Sequence, residues 1–190
     1  MRILPAIFFL ASAAPLAAQE HELIDYAGLF KEHAADVVPG VDYWGRPGEV
    51  LNLPDGTTLW RGGTVDVPLY NGTSTVGTAC DFYWALIAID PILRCPEDVP
   101  PDQLAAVNRT VDQILTYWGQ NAYPSRSLAE MRALAQPDQA DVEPLDCEAI
   151  KADADGPLSR AELITGDEYQ AALRQELSKP PHLMVMDPCY

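Results

Sequence analysis

Basic side chains are scarce in this chain: 12 Lys and Arg stand against 28 Asp and Glu, a formal charge of −16. A surface so charged repels nucleic-acid phosphates and anionic lipid headgroups, so direct nucleic-acid binding is not expected. Lysine is the scarcer of the two, 3 of those 12, and with the abundance of Ala and Asp this bias points to a GC-rich bacterial genome. Long apolar runs are missing too. The longest, Phe82 to Ile89, has 8 residues and stops at Asp90-Pro91, far short of the ~20 that a membrane-spanning helix needs. No integral membrane segment is expected. Histidine is limited to 3 residues, and His21 and His33 fall near opposite ends of one predicted helix, where they cannot share a metal.

What is present begins with an export signal. Arg2 gives a minimal positive n-region, Ile3 to Leu10 an apolar core, and Ala11 to Ala18 a small-residue tail suited to signal peptidase. Cleavage after Ala18 makes residues 1–18 a signal peptide and 19–190 a single mature domain. Without Arg2 the mature chain holds 11 basic and 28 acidic side chains, a formal charge of −17. The expected location is the periplasm, although sequons at Asn71 and Asn108 also suit a protein secreted by a eukaryote.

Cys80, Cys95, Cys147 and Cys189 all lie in the mature chain. In an oxidising compartment an even number reads as two disulfides, with three pairings possible. Pro91 lets the chain double back between Cys80 and Cys95, so the favoured pairs are Cys80 with Cys95 and Cys147 with Cys189. The second would tie down a Pro-rich tail from about residue 145 onward.

Hydrophobic periodicity predicts a first amphipathic helix over about Glu22 to Val37, ended by Pro39-Gly40. Val50 to Leu53 and Thr57 to Trp60 flank Pro54-Asp55-Gly56 and predict a β-hairpin. Thr64 to Tyr70 adds a third short strand before a loop from Asn71 to Thr78. A short buried helix is expected over about Ala79 to Asp90. The strongest helical signal is Asp102 to Trp118, with Leu104, Val107, Val111, Ile114, Leu115 and Trp118 on one face and Gly119 as the C-terminal cap. Further helices fit Ser127 to Leu134 and Glu168 to Leu177, the latter capped by Thr165 or Asp167, and His182 to Met186 reads as an edge strand. The fold class expected is mainly α (α+β): a small disulfide-bonded helical domain with a short hairpin near 50–60.

Three chemical readings follow. Lys151 to Glu162, KADADGPLSRAE, aligns with a twelve-residue EF-hand loop: Asp153 and Asp155 at the third and fifth positions, Gly156 at the turn, Ser159 at the ninth and Glu162 at the twelfth. It departs at the first position, where Lys151 replaces an Asp. The same letters also make a turn at Asp155-Gly156 with Ser159 as helix N-cap and Glu162 completing a capping box. The expectation is a degenerate loop that keeps its shape without an ion and a chain with no cofactor, with calcium at Asp153, Asp155, Ser159 and Glu162 as the alternative. Second, Cys80 at the start of a buried helix, with His182 on a later strand, would make a cysteine hydrolase if Cys80 stays reduced. Ser74 misses the G-x-S-x-G elbow by one residue. Third, Trp44, Trp60, Tyr70, Trp84 and Trp118 read as core, whereas Tyr43-Trp44 beside Gly45 also reads as an exposed recognition patch.

Cys80-Asp-Phe-Tyr83, Cys95-Pro96-Glu97-Asp98-Val99 and Gln103-Leu104-Ala-Ala-Val107 together resemble the periplasmic Rap/Tai immunity domain over about Cys80 to Trp118. This chain has Leu86 where that pattern has Gly, and its proline follows Cys95 directly. The resemblance implies a small, disulfide-bonded, mainly helical protein that binds and blocks a peptidoglycan amidase. With no complete catalytic constellation in the sequence, the leading expectation is an exported, non-catalytic protein that binds a protein partner. The cysteine hydrolase and the calcium-responsive module stand as alternatives.

Overall fold

The computed structural model describes residues 23–64, 68–74, 86, 89–135, 146–151 and 156–185. The expected signal peptide, Trp84, Cys80, Cys189, Asp153, Asp155 and most of the helix expected over Ala79 to Asp90 lie outside the described residues.

Helix α1, Tyr26–Glu32, starts where the Asp25 carboxylate accepts the Gly28 N–H at 2.8 Å, an N-cap that satisfies one of the first-turn donors. It buries Tyr26, Leu29 and Phe30 and ends at His33, so the predicted extension to Val37 does not form. The chain turns through residues 33–36 and enters a sheet instead.

That sheet corrects the expected fold class. Four strands, β1 Val38–Val41, β2 Pro47–Asn52, β3 Thr57–Gly63 and β4 Pro68–Ser74, pair antiparallel in sequence order. The predicted hairpin near 50–60 is only the β2–β3 pair within it, so the fold is α+β with a full meander. The outer two strands, VPGV and PLYNGTS, are rich in Pro and Gly that read as loop in the sequence; the first was not expected and the second only in part. Proline is tolerated at such positions because one side of an outer strand needs no ladder donors. The Asp42 N–H bonds Arg46 O at 3.0 Å, and by antiparallel alternation residues 39 and 41 aim their backbone groups away from β2. The strand expected at Thr64 to Tyr70 lies a few residues later, and it takes in Asn71 to Ser74, which were expected to be loop. Gly56, at φ +89°, closes the β2–β3 turn as expected, with Asp55 accepting the Thr57 N–H at 2.8 Å.

Strand alternation separates the two faces of the sheet. Leu51 and Leu59 point inward and pack with Ile24, Leu29, Phe30, Leu183 and Val185. Val50, Trp60 and Asn71 share the opposite face. There the Trp60 indole lies over Gly48 and Gly62, where any Cβ would meet its ring. Trp60 is buried although it belongs to none of the three apolar clusters of the core.

The helical half is built on α2, Pro101–Gln120, which buries Val107, Thr110, Ile114, Leu115, Tyr117, Trp118 and Gly119. Leu104 and Val111, also expected on this face, are partly buried against the same core. Gly119 is not the cap. It sits inside the helix, where the backbone of Arg126 approaches so closely that a side chain could not fit, and its carbonyl accepts the Arg126 N–H at 2.7 Å. Helices α3, Leu128–Ala135, and α6, Asp167–Leu177, form where expected; α6 is preceded by Gly166 at the N-cap rather than by Thr165 or Asp167. Residues 89–94 are helical with Pro91 among them, followed by a 3-10 turn at Pro96–Asp98. Helices α4, Cys147–Lys151, and α5, Pro157–Thr165, complete the set. Ile89, Ile92, Val99 and Val107 close over Ala161 and Ile164 of α5.

The favoured cysteine pairing is also corrected. Cys95 bonds Cys147, with their Cα atoms 5.7 Å apart and 52 positions between them in sequence. Since each cysteine bonds once, neither Cys80 with Cys95 nor Cys147 with Cys189 holds. The reason is spatial: α4 lies beside the turn that follows Cys95, a proximity invisible in the sequence. The chain end is anchored by polar contacts. The Leu183 N–H donates to Asp55 at 2.7 Å, the His182 N–H to the Asn121 side chain at 2.8 Å, and the Met184 N–H to Asn121 O at 3.2 Å. Residues 182–185 are not an edge strand.

Candidate functional site

Two places on the molecule combine exposure with fixed geometry. The first is the tip of the β1–β2 hairpin, where a three-residue loop, Tyr43-Trp44-Gly45, joins the strands. The Gly45 N–H bonds Asp42 O at 3.0 Å, and Gly45 takes φ +77°, a left-handed conformation that closes such a loop without strain. The Asp42 side chain is wholly buried beneath the turn and accepts the Trp44 N–H at 3.0 Å, the Arg46 N–H at 2.7 Å and the Arg46 guanidinium, with Asn71 of β4 at 3.4 Å. Burial pushes the Asp42 carboxyl up, but the Arg46 backbone and side-chain bonds, its positive charge and the Trp44 N–H together hold it below the ordinary value.

Arg46 in turn lies 4.8 Å from the Trp44 ring and 5.1 Å from the Trp60 ring, so it couples the loop to the sheet by cation–π contacts on both sides. Tyr43 meets Trp44 edge-on at 5.8 Å. The result is a fixed turn that shows Tyr43 at 75% exposure and Trp44 at 50%. Val38 and Leu69, both exposed, flank Trp60 on the outer sheet face. Large apolar side chains displayed together, on backbone tied by hydrogen bonds to Asp42, mark an interaction site more often than a chance surface.

The second place is a cavity of about 280 Å³ lined by Asp98, Lys151, Gly156, Pro157, Leu158, Ser159 and Glu162. Asp98, in the 3-10 turn, has a side chain only 6% exposed and bonds Lys151 Nζ through Oδ1 at 2.6 Å. The hydrogen bond from Lys151 to Asp98, then the Asp98 charge and those of Glu148 and Glu97, raise the Lys151 ammonium above its ordinary range. The Cys95–Cys147 bond holds α4 at the same turn and so fixes the cavity wall.

The residues singled out in the sequence fall unevenly on these places. Lys151, Ser159 and Glu162 of the EF-hand-like stretch do come together, but helix α5 begins at Pro157 with Gly156 as its N-cap. Ser159 is therefore a first-turn residue and not the cap, and no capping box forms. Pro157, whose carbonyl the EF-hand geometry would offer to an ion, is the first residue of that helix. Among the described residues no group of three His, Cys, Asp or Glu side chains is placed to hold a metal, while Asp153 and Asp155 lie outside them. His182 is buried, with Nδ1 2.9 Å from the Pro180 carbonyl and its ring against Tyr117. A carbonyl can only accept, so Nδ1 is the donor in that contact. Its proposed partner Cys80 lies outside the described residues. Ser74 ends β4, and Trp118 is core, as expected.

Sequence reasoning missed Asp42 and Asp98. Asp before an aromatic pair and a Gly is a turn signal that could have pointed to the first, whereas nothing local marks Asp98. Comparison of the chain with protein-family models, with curated proteins and with solved structures gives no match.

Proposed function

We propose that this chain is an exported, non-catalytic protein that binds a protein partner, of the inhibitor or immunity kind implied by the resemblance of residues 80–118. The observation that carries the reading is the hairpin tip. Tyr43 and Trp44 are exposed on a loop that Asp42 and Arg46 hold in one conformation, so little entropy is lost when they enter a partner's cleft. Aromatic anchors of this type dominate binding energy where they occur at interfaces. The formal charge of −16 favours encounter with a basic partner and disfavours nucleic acid and anionic membrane. No helix among the described residues is long and apolar enough to cross a membrane.

The test is site-specific photocrosslinking from position 43 in the periplasm of the native host. One discrete partner band is expected, lost in the Tyr43→Ala/Trp44→Ala variant while far-UV circular dichroism is unchanged. Retention of the same partner by the double variant would remove the hairpin from the interface. A covalent acyl adduct on Cys80 would replace the reading by a hydrolase.

A further inference from the structure

We infer that the cavity between Asp98 and Glu162 takes one basic side chain, lysine or arginine, presented by a protein partner. This rests on the protein-binding reading above but uses a different surface. Three observations converge on it.

The first is the state of Asp98. Its side chain is more than nine-tenths buried, it lines the cavity, and among the described residues its one partner is Lys151, bound through Oδ1. The second oxygen is the acceptor left for a visitor. A buried carboxylate with an unused oxygen at a cavity wall gains from any charged donor that reaches it.

The second is charge. Glu162 faces the same space and has no ion pair among the described residues. Lys151 neutralises one of these two carboxylates, so the cavity keeps an excess of negative charge. Anions are repelled and cations drawn in.

The third is size and lining. About 280 Å³ falls just under the range of sites that hold drug-sized molecules and is far more than a bare ion fills. Pro157 and Leu158 give an apolar wall against which a methylene stem can lie, as lysine and arginine stems do. The first turn of α5 and the Ser159 hydroxyl supply donors that suit the visitor's own peptide carbonyl. A basic residue within a polypeptide supplies all three parts: cationic head, apolar stem and carbonyl.

The experiment uses the oxidised full chain and two probes, N-acetyl-arginine methylamide and its neutral isostere N-acetyl-citrulline methylamide, followed by amide NMR shifts. Saturable shifts at Lys151, Leu158, Ser159 and Glu162 are expected with the arginine probe. The citrulline probe should bind at least about tenfold more weakly, the equivalent of one charge-assisted hydrogen bond. Glu162→Gln, an exposed helix-surface change that leaves the fold intact, should weaken the arginine probe several-fold. Equal shifts with both probes, indifference to Glu162→Gln, or saturable shifts with calcium and none with arginine would each overturn the inference. Crosslinking at the hairpin without arginine binding sinks this inference alone. Arginine binding without a hairpin crosslink sinks only the hairpin's role.

Discussion

Replacing Cys147 by alanine removes the single covalent link between α4 and the turn after Cys95, and the loop it opens sets the expected loss. With 52 positions between the bonded cysteines, the chain-entropy relation gives about 4 kcal/mol of restriction on the unfolded ensemble at 25 °C. Cys95 is fully buried and behaves there as a small apolar group, so the freed thiol adds little to that figure. At a urea m-value of about 2 kcal/mol/M the midpoint should fall by about 2 M, and m itself should rise because the unfolded chain becomes more expanded. Tryptophan emission reports the transition, since Trp60 and Trp118 are buried in different halves of the fold. A midpoint shift below about 0.5 M would refute the entropic reasoning. A non-reducing peptide map that links Cys80 to Cys95 would refute the pairing itself.

Two further outcomes follow from the hairpin and the sheet beneath it. Gly62→Ala places a methyl group inside the Trp60 ring's envelope, so Trp60 must leave its seat; a loss of about 1–3 kcal/mol with red-shifted emission is expected, and an unchanged melting curve would disprove the packing. For Asp42, the folded pKa lies below the ordinary 3.8, so its contribution is complete above that value and is lost as the pH falls through the lower folded one. Amide signals of Trp44 and Arg46 should therefore hold their positions at pH 3.8 and move only in stronger acid; a titration midpoint at or above 3.8 contradicts the Asp42 network.

How far the sequence disclosed this architecture depended on how local each signal was. Helix α2 was legible because Val107, Ile114, Leu115 and Trp118 repeat at helical spacing behind Pro101. The β2–β3 hairpin was legible because Pro54-Asp55-Gly56 is a turn whose chemistry acts within a few residues. Strand β1 was not, and β4 was only in part, since both are rich in residues that read as loop and gain their hydrogen bonds only from strand neighbours. The α1 boundary was misjudged for a related reason: Val37 continues the apolar spacing of a helix yet packs against the sheet side of the core. The partner of Cys95 was hidden by 52 positions of chain. At the candidate sites, Tyr43-Trp44 and the 151–162 stretch were visible as patterns. Their anchors, Asp42 beneath the turn and Asp98 across from Lys151, required the fold.

Proline sits in both outermost strands, Pro39 in β1 and Pro68 in β4. An incoming polypeptide that tried to lengthen the sheet would find a gap in the row of amide donors at either border, which discourages fibril-like stacking of one copy on the next. Strand-to-strand association between copies is therefore expected to be slow even at high concentration.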